Sequence, residues 1–171
     1  MKITIITSNN SRHNYLINLM SEISSELHVI MECKTIYLGI APSTYSITKS
    51  TEKYFQKVNE AQNKIFGRTY LSNKSKINLL PLAVGDLSKY NFKDLNSFLK
   101  SDVYIIFGSS YLKGDLAEFL ISKKAINIHM GISPYYRGSD CNFWALYDKN
   151  TNYVGSTIQL LSKGLDSGNI L

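Results

Sequence analysis

The chain has only two cysteines in 171 residues, Cys33 and Cys141, far apart and outside any C-x-x-C or Cys/His spacing. That excludes a disulfide framework and a structural zinc site, and no metal is expected; both thiols read as buried or incidental ones of a reducing compartment. No stretch approaches the roughly 18 apolar residues of a membrane span. Residues 1–6 are too short and too broken by polar side chains for a signal-peptide core. A cytoplasmic protein without membrane attachment is expected. No glycine stands in the turn after the first apolar run, where a dinucleotide-binding chain carries G-x-G-x-x-G. Walker A and G-x-S-x-G sequences are missing too, which argues against nicotinamide dehydrogenases and α/β-hydrolases. There is no internal repeat or low-complexity tract.

What is present is a globular composition, 44% hydrophobic, on a length that builds one domain, residues 1–171, with a sizeable core. The 19 basic and 13 acidic residues leave a formal charge of +6. An anionic partner is favoured by that balance. The lysines are scattered, with Lys74 near Lys76 and Lys123 beside Lys124 but no basic stripe, so nucleic acid is not the expected partner.

Residues 2–7 read as a buried strand and 8–11 as a capping loop. Leu16, Leu19, Met20, Ile23 and Leu27 recur at helical spacing, and 28–33 read as a second strand. Such a β-α-β start is right-handed with parallel strands. Residues 39–46 form a loop with Pro42. Residues 48–67 predict a long amphipathic helix, stopped by Gly67, with Tyr54, Val58, Ala61 and Ile65 on a face meeting the core or a partner helix. Lys53, Lys57 and Lys64 fall on its solvated faces. Residues 77–82 read as strand or loop, 91–99 as helix, and 103–107, ending at Gly108, as a central parallel strand. A helix over 115–122, a strand over 125–129, a helix over 141–147 capped by Ser139 or Asp140, and a strand over 154–161 complete the pattern. Phe143 and Trp144 are expected in the core. The alternation predicts an α/β, Rossmann-like open and mostly parallel sheet with helices on both faces.

Three polar residues stand beside turn sequences. In Ala125-Ile126-Asn127-Ile128-His129, alternation puts Asn127 and His129 on one face of a strand, about 6–7 Å apart. Asn offers donors that do not titrate, and His a donor, an acceptor or a charge. Together they suit a developing oxyanion and a moving proton. Asp166 sits in a tight turn between Gly164 and Gly168. Taken singly, His129 reads as a strand-end histidine bonded to backbone, and Asp166 as a turn cap. The functional reading needs Asp166 within reach of His129, where a carboxylate orients the ring. Arg137-Gly138 reads either as a turn or as a phosphate contact.

The ordered set of motifs resembles the 10-formyltetrahydrofolate-dependent formyltransferase superfamily, which includes glycinamide ribonucleotide, methionyl-tRNA and nucleotide-sugar formyltransferases. The set is Asn-Ile-His, Pro134-Tyr135-Tyr136-Arg137-Gly138, Phe143-Trp144-Ala145-Leu146, a strand, and Leu165-Asp166-Ser167-Gly168. The resemblance covers residues 103–171. It implies that Asn127, His129 and Asp166 are catalytic and that 10-formyltetrahydrofolate is the co-substrate. It also implies that Ser109, Ser110, Tyr111 and Leu112 hold the pterin, with Leu165 on the other side of the pocket. Gly131, Arg137 and Gly138 are the candidate acceptor-binding residues. The expected partner is a small-molecule primary amine, phosphorylated or nucleotide-linked, with methionyl-tRNA and glycinamide ribonucleotide as alternative acceptors; a homodimer stays open. Met130-Gly131-Ile132-Ser133-Pro134 replaces the family's Pro-Ser-Leu-Leu-Pro, and the chain is shorter than members of the family, so a catalytic domain truncated at its C-terminus is expected. The alternative is a non-catalytic folate-binding domain or inactive fragment of the same fold.

Overall fold

A computed structural model describes residues 1–33, 48–67, 71 and 76–171. The expected loop at 39–46 lies outside the described residues. In chain order the elements are β1 (Lys2–Ser8), α1 (Ser11–Ile23), β2 (Glu26–Cys33), α2 (Lys49–Phe66), β3 (Ile77–Ala83), β4 (Val103–Phe107), α3 (Gly114–Ser122), β5 (Ile126–His129), α4 (Cys141–Tyr147) and β6 (Thr157–Leu160). One six-stranded sheet has the order β3-β2-β1-β4-β5-β6. The first five strands run parallel and β6 antiparallel. This is the mostly parallel α/β sheet expected from the sequence. Strand order reverses between β1 and β4, and in open sheets ligands bind beyond the carboxyl ends near such a point.

Alternation along the strands divides the core in two. Ile3, Ile5, Leu27, Val29 and Ile105 face α1 through Ile17, with Leu16 and Met20 packed alongside. Ile6, Ile30, Tyr104 and Ile106 face the opposite side, covered by Leu116 and Leu120 of α3 and by Leu87, Leu95 and Leu99.

Several expectations are corrected here. Leu27 belongs to β2, because the chain turns extended at Ser24 and the strand begins at Glu26 rather than His28. The buried face of α1 is His13, Ile17 and Ser21, while Leu19 and Ile23 are exposed. Residues 91–99 form a 3-10 turn, Phe92–Phe98. The last strand is shorter than 154–161, because Thr151–Tyr153 is a 3-10 turn. Helix α2 forms as expected, yet Tyr54, Phe55 and Ile65 stay exposed. It lies against α1 through Arg12 Nη1 to Gln62 Oε1 and the Tyr15–Phe66 ring contact, and Tyr54 meets the Phe143 ring of α4. Asp140 occupies the cap of α4 without a side-chain cap bond. Phe143 and Trp144 point outward at 42% and 49% exposure; Cys141 and Ala145 are the buried residues of that helix.

Candidate active site

The site is built on β5 and β6. Their antiparallel register pairs Asn127 with Gln159 and His129 with Thr157, so these four side chains share one face. It is the face of Ile106, which pairs with Asn127 across β4. After β6 the chain doubles back: Leu160 N–H donates to Asn169 O at 2.8 Å, and Gln159 bridges Ile170. Gly168 allows this, since a Cβ there would overlap the Leu160 carbonyl. The turn carries Asp166 under the end of β5.

Asp166 has a left-handed φ of +43°, uncommon for a residue with a side chain. Its carboxylate accepts two hydrogen bonds and lies beside the His129 ring. Oδ1 accepts from Asn127 Nδ2 at 2.8 Å, and Oδ2 from Gly138 N–H at 2.9 Å. His129 Nδ1 lies 3.3 Å from Oδ2. The backbone carbonyl of Asp166 accepts from Ser133 Oγ at 3.0 Å, and Ser133 N–H donates to Thr157 Oγ1. The other nitrogen of His129, Nε2, faces the Tyr136 carbonyl at 2.9 Å. A carbonyl and a carboxylate only accept, so the ring satisfies both contacts when each nitrogen carries a proton. Asn127 Nδ2 has two hydrogens and spends one on Asp166.

Behind the ring, Gly131 is buried. A Cβ there would lie 2.6 Å from His129 Nε2, 2.5 Å from Cys141 Cβ and 3.0 Å from the Tyr136 carbonyl. Gly131 is thus a close-packing position beside the His129 ring. Burial, and then the charges of Asp166 and Asp140, push the Cys141 thiol up, which disfavours a thiolate nucleophile. Arg137 is exposed and its Nε donates to Pro134 O at 3.1 Å, a turn contact that leaves the rest of the guanidinium at the surface. Gly138 has φ +94° and gives its N–H to Asp166.

The loop after β4 leaves the strand through Gly108, φ +70°, packed against the His13 ring. Ser110 is fixed by the buried Glu32, through its N–H at 2.6 Å and its hydroxyl at 2.8 Å. Ser109 Oγ donates to the Ser110 carbonyl. Tyr111 reaches across so that its OH donates to Lys163 O at 3.3 Å, bridging to the Leu165 turn. Leu165 is half exposed beside Gly138, and Leu112 packs against the core. A separate surface cleft lies between residues 87–92 and 112–116 and includes none of Asn127, His129 and Asp166.

Asn127, His129 and Asp166 are therefore brought together, as the functional reading required. Sequence reasoning missed Glu32, Ser133, Tyr136, Thr157 and Gln159. Two of these carried a signal: Glu32 is a charge inside an apolar strand, and Thr157-Ile158-Gln159 repeats the polar phase of Asn127-Ile128-His129. Gln159 is fully buried, with no partner for its side-chain amide among the described residues. Among the described residues no His/Cys/Asp/Glu group could hold a metal ion, and no helix is long and apolar enough to cross a membrane.

No protein-family model and no curated protein matches the chain. Solved structures do. Phosphoribosylglycinamide formyltransferase from Anaplasma phagocytophilum matches at TM-score 0.58 and 15% identity, over 99% of this chain and 69% of that one. Glycinamide ribonucleotide transformylase 1 from Symbiobacterium toebii matches at TM-score 0.59 and 13% identity, over 100% and 70%. A 4-N formyltransferase from Francisella tularensis matches at TM-score 0.52 and 23% identity, over 99% of this chain and 53% of its own length. The chain thus has the α/β fold of the formyltransferases.

Proposed function

We propose that this chain transfers a formyl group from 10-formyltetrahydrofolate to a primary amine on a phosphorylated or nucleotide-linked small molecule. The observation that carries the reading is the carboxylate of Asp166 accepting from Asn127 Nδ2 with His129 Nδ1 3.3 Å away, at the carboxyl end of β5. The amine nitrogen attacks the formyl carbon, and the carbonyl electron pair moves onto oxygen. In this reading the second Nδ2 hydrogen of Asn127, the one not spent on Asp166, donates to that oxyanion, and the His129 ring lies beside it. Asp166 takes the proton that the attacking nitrogen sheds and passes it, directly or through water, to N10 of the folate as the C–N10 bond breaks. The +6 charge and the surface guanidinium of Arg137 support an anionic acceptor. Among the fold's relatives are enzymes named for glycinamide ribonucleotide and for sugars. A nucleotide-linked amino sugar is the acceptor we favour.

The test is calorimetric titration with 5-formyltetrahydrofolate, a stable folate that cannot donate from N10, followed by a screen of amine acceptors for formamide products. Binding with formamide formation is expected. Binding with no product from any amino-sugar nucleotide, glycinamide ribonucleotide or methionyl-tRNA would favour a non-catalytic folate-binding domain. A folded chain that binds no folate would refute the reading.

A further inference from the structure

Glu32 lies near the end of β2 and is 1% exposed. A buried carboxylate is costly unless both its oxygens are hydrogen-bonded. Among the described residues no lysine, arginine or histidine forms an ion pair with it. Its partners are instead three donors from two other segments. Oε2 accepts from Ser110 N–H at 2.6 Å; Oε1 accepts from Ser110 Oγ at 2.8 Å and from Gly85 N–H at 2.9 Å. Ser110 follows β4 and Gly85 follows β3, so one carboxylate ties together the ends of three strands.

The register explains why it can. Ile30, Ile6, Ile106 and Asn127 pair successively across β2, β1, β4 and β5 and share a face. Glu32 is two residues beyond Ile30, hence on that same face. Residues 109–113 have no regular secondary structure, so no ladder of their own fixes them.

We propose that Glu32 is the positioning residue of the folate loop. It sets the backbone of residues 109–112 before the co-substrate arrives, and it is needed as a carboxylate. This rests on the folate-dependent reading above. Two backbone N–H groups approach different oxygens of Glu32, and neither can turn away. An amide would set its NH2 against one of them, leaving a donor facing a donor. A loop released in this way binds the co-substrate more weakly, while the reacting groups on β5 and in the 164–168 turn are untouched.

The test compares wild type with Glu32→Gln by hydrogen exchange and by kinetics. Charge-assisted bonds of this kind predict a loss of roughly tenfold to hundredfold in affinity for 5-formyltetrahydrofolate. KM for 10-formyltetrahydrofolate should rise in parallel, with kcat within about twofold of wild type. The Ser110 and Gly85 amides should exchange faster, and the Ile5 amide at its wild-type rate. Ser110→Ala removes the hydroxyl bond to Glu32, and its Ser110 and Gly85 amides should exchange faster by a smaller factor, a readout independent of any contact between that hydroxyl and folate, which keeps the test open if Glu32→Gln fails to fold. Two results would overturn the proposal: unchanged exchange at Ser110, or unchanged folate affinity in a variant whose Ser110 amide is deprotected. A fall in kcat at constant KM would overturn it as well. If wild type neither binds nor uses folate, the functional reading fails, and the positioning role with it. That result differs from wild type and Glu32→Gln binding folate equally, which sinks the positioning role alone.

Discussion

Asp166→Asn keeps the shape of the side chain and removes its charge. The new amide has one acceptor where the carboxylate serves Asn127 Nδ2 at 2.8 Å and Gly138 N–H at 2.9 Å, with His129 Nδ1 3.3 Å away. Gly138 N–H is fixed in the backbone, whereas the amide of Asn127 can turn over. The favoured arrangement therefore keeps the oxygen on Gly138 and sets the new NH2 against Asn127, which flips to offer its oxygen. The flip removes the N–H proposed to meet the oxyanion. Loss of one such donor predicts a fall in turnover of about a hundredfold to a thousandfold. Replacing charge-assisted bonds by neutral ones predicts a stability loss of only about 1–2 kcal/mol, so the variant should fold. The assay is formamide formation at saturating folate and amine, beside a urea melt. Asp166→Asn removes the proposed proton carrier as well as that N–H, so Asn127→Ala with Asp166→Asn should fall below Asn127→Ala alone, but by less than the product of the two single losses. Turnover within twofold of wild type, or additive losses in the double variant, would refute the reasoning.

Other outcomes follow from the same geometry. Gly131→Ala should cost about 2–4 kcal/mol of stability and most of the turnover, because the added methyl meets His129 Nε2 and Cys141; a wild-type melt would contradict the packing. Gln159→Met removes a buried amide without a partner among the described residues and should raise stability by about 1–2 kcal/mol in a urea melt. A loss of that size would mean the amide is bonded. The Cys141 thiol is pushed up by burial and neighbouring carboxylates, so its alkylation by iodoacetamide should be slow near neutral pH and accelerate as pH rises above the ordinary thiol range. Fast labelling at neutral pH would contradict that. Trp144 is the one tryptophan, and at 49% exposure its fluorescence should be readily quenched by iodide; a blue-shifted, unquenched signal would put it in the core.

Much of this architecture was legible because strand period and parallel β-α-β chirality leave few alternatives, and Asn127-Ile128-His129 displays its phase directly. The reach of Asp166 was not legible. It depends on β6 running antiparallel and on the turn folding back over Leu160, neither of which is set by residues near Asp166 alone. The helix at 141–147 was placed correctly and its rings were not. A contact as close as that of Gly131 with Cys141 admits only small residues, so Cys141 and Ala145 face inward and Phe143 and Trp144 turn out. Periodicity likewise predicted α2 without telling what its apolar face meets, and its observed neighbours include α1 and, through the Tyr54–Phe143 ring contact, α4. Leu27 kept helical spacing with Ile23, but the chain becomes extended at Ser24 and places it in a strand. Glu32 was hidden because its partners, Gly85 and Ser110, lie 53 and 78 residues away.

The measurement that reaches furthest is mass spectrometry of amine acceptors incubated with wild-type protein and 10-formyltetrahydrofolate carrying a 13C-labelled formyl group. The account predicts transfer of the labelled formyl group to an amino-sugar nucleotide or another anionic amine, with transfer slowed about a hundredfold or more in both Asn127→Ala and Asp166→Asn. A folded wild-type chain that binds the folate and leaves every amine unformylated, or an Asn127→Ala variant that transfers the label as fast as wild type, would contradict it.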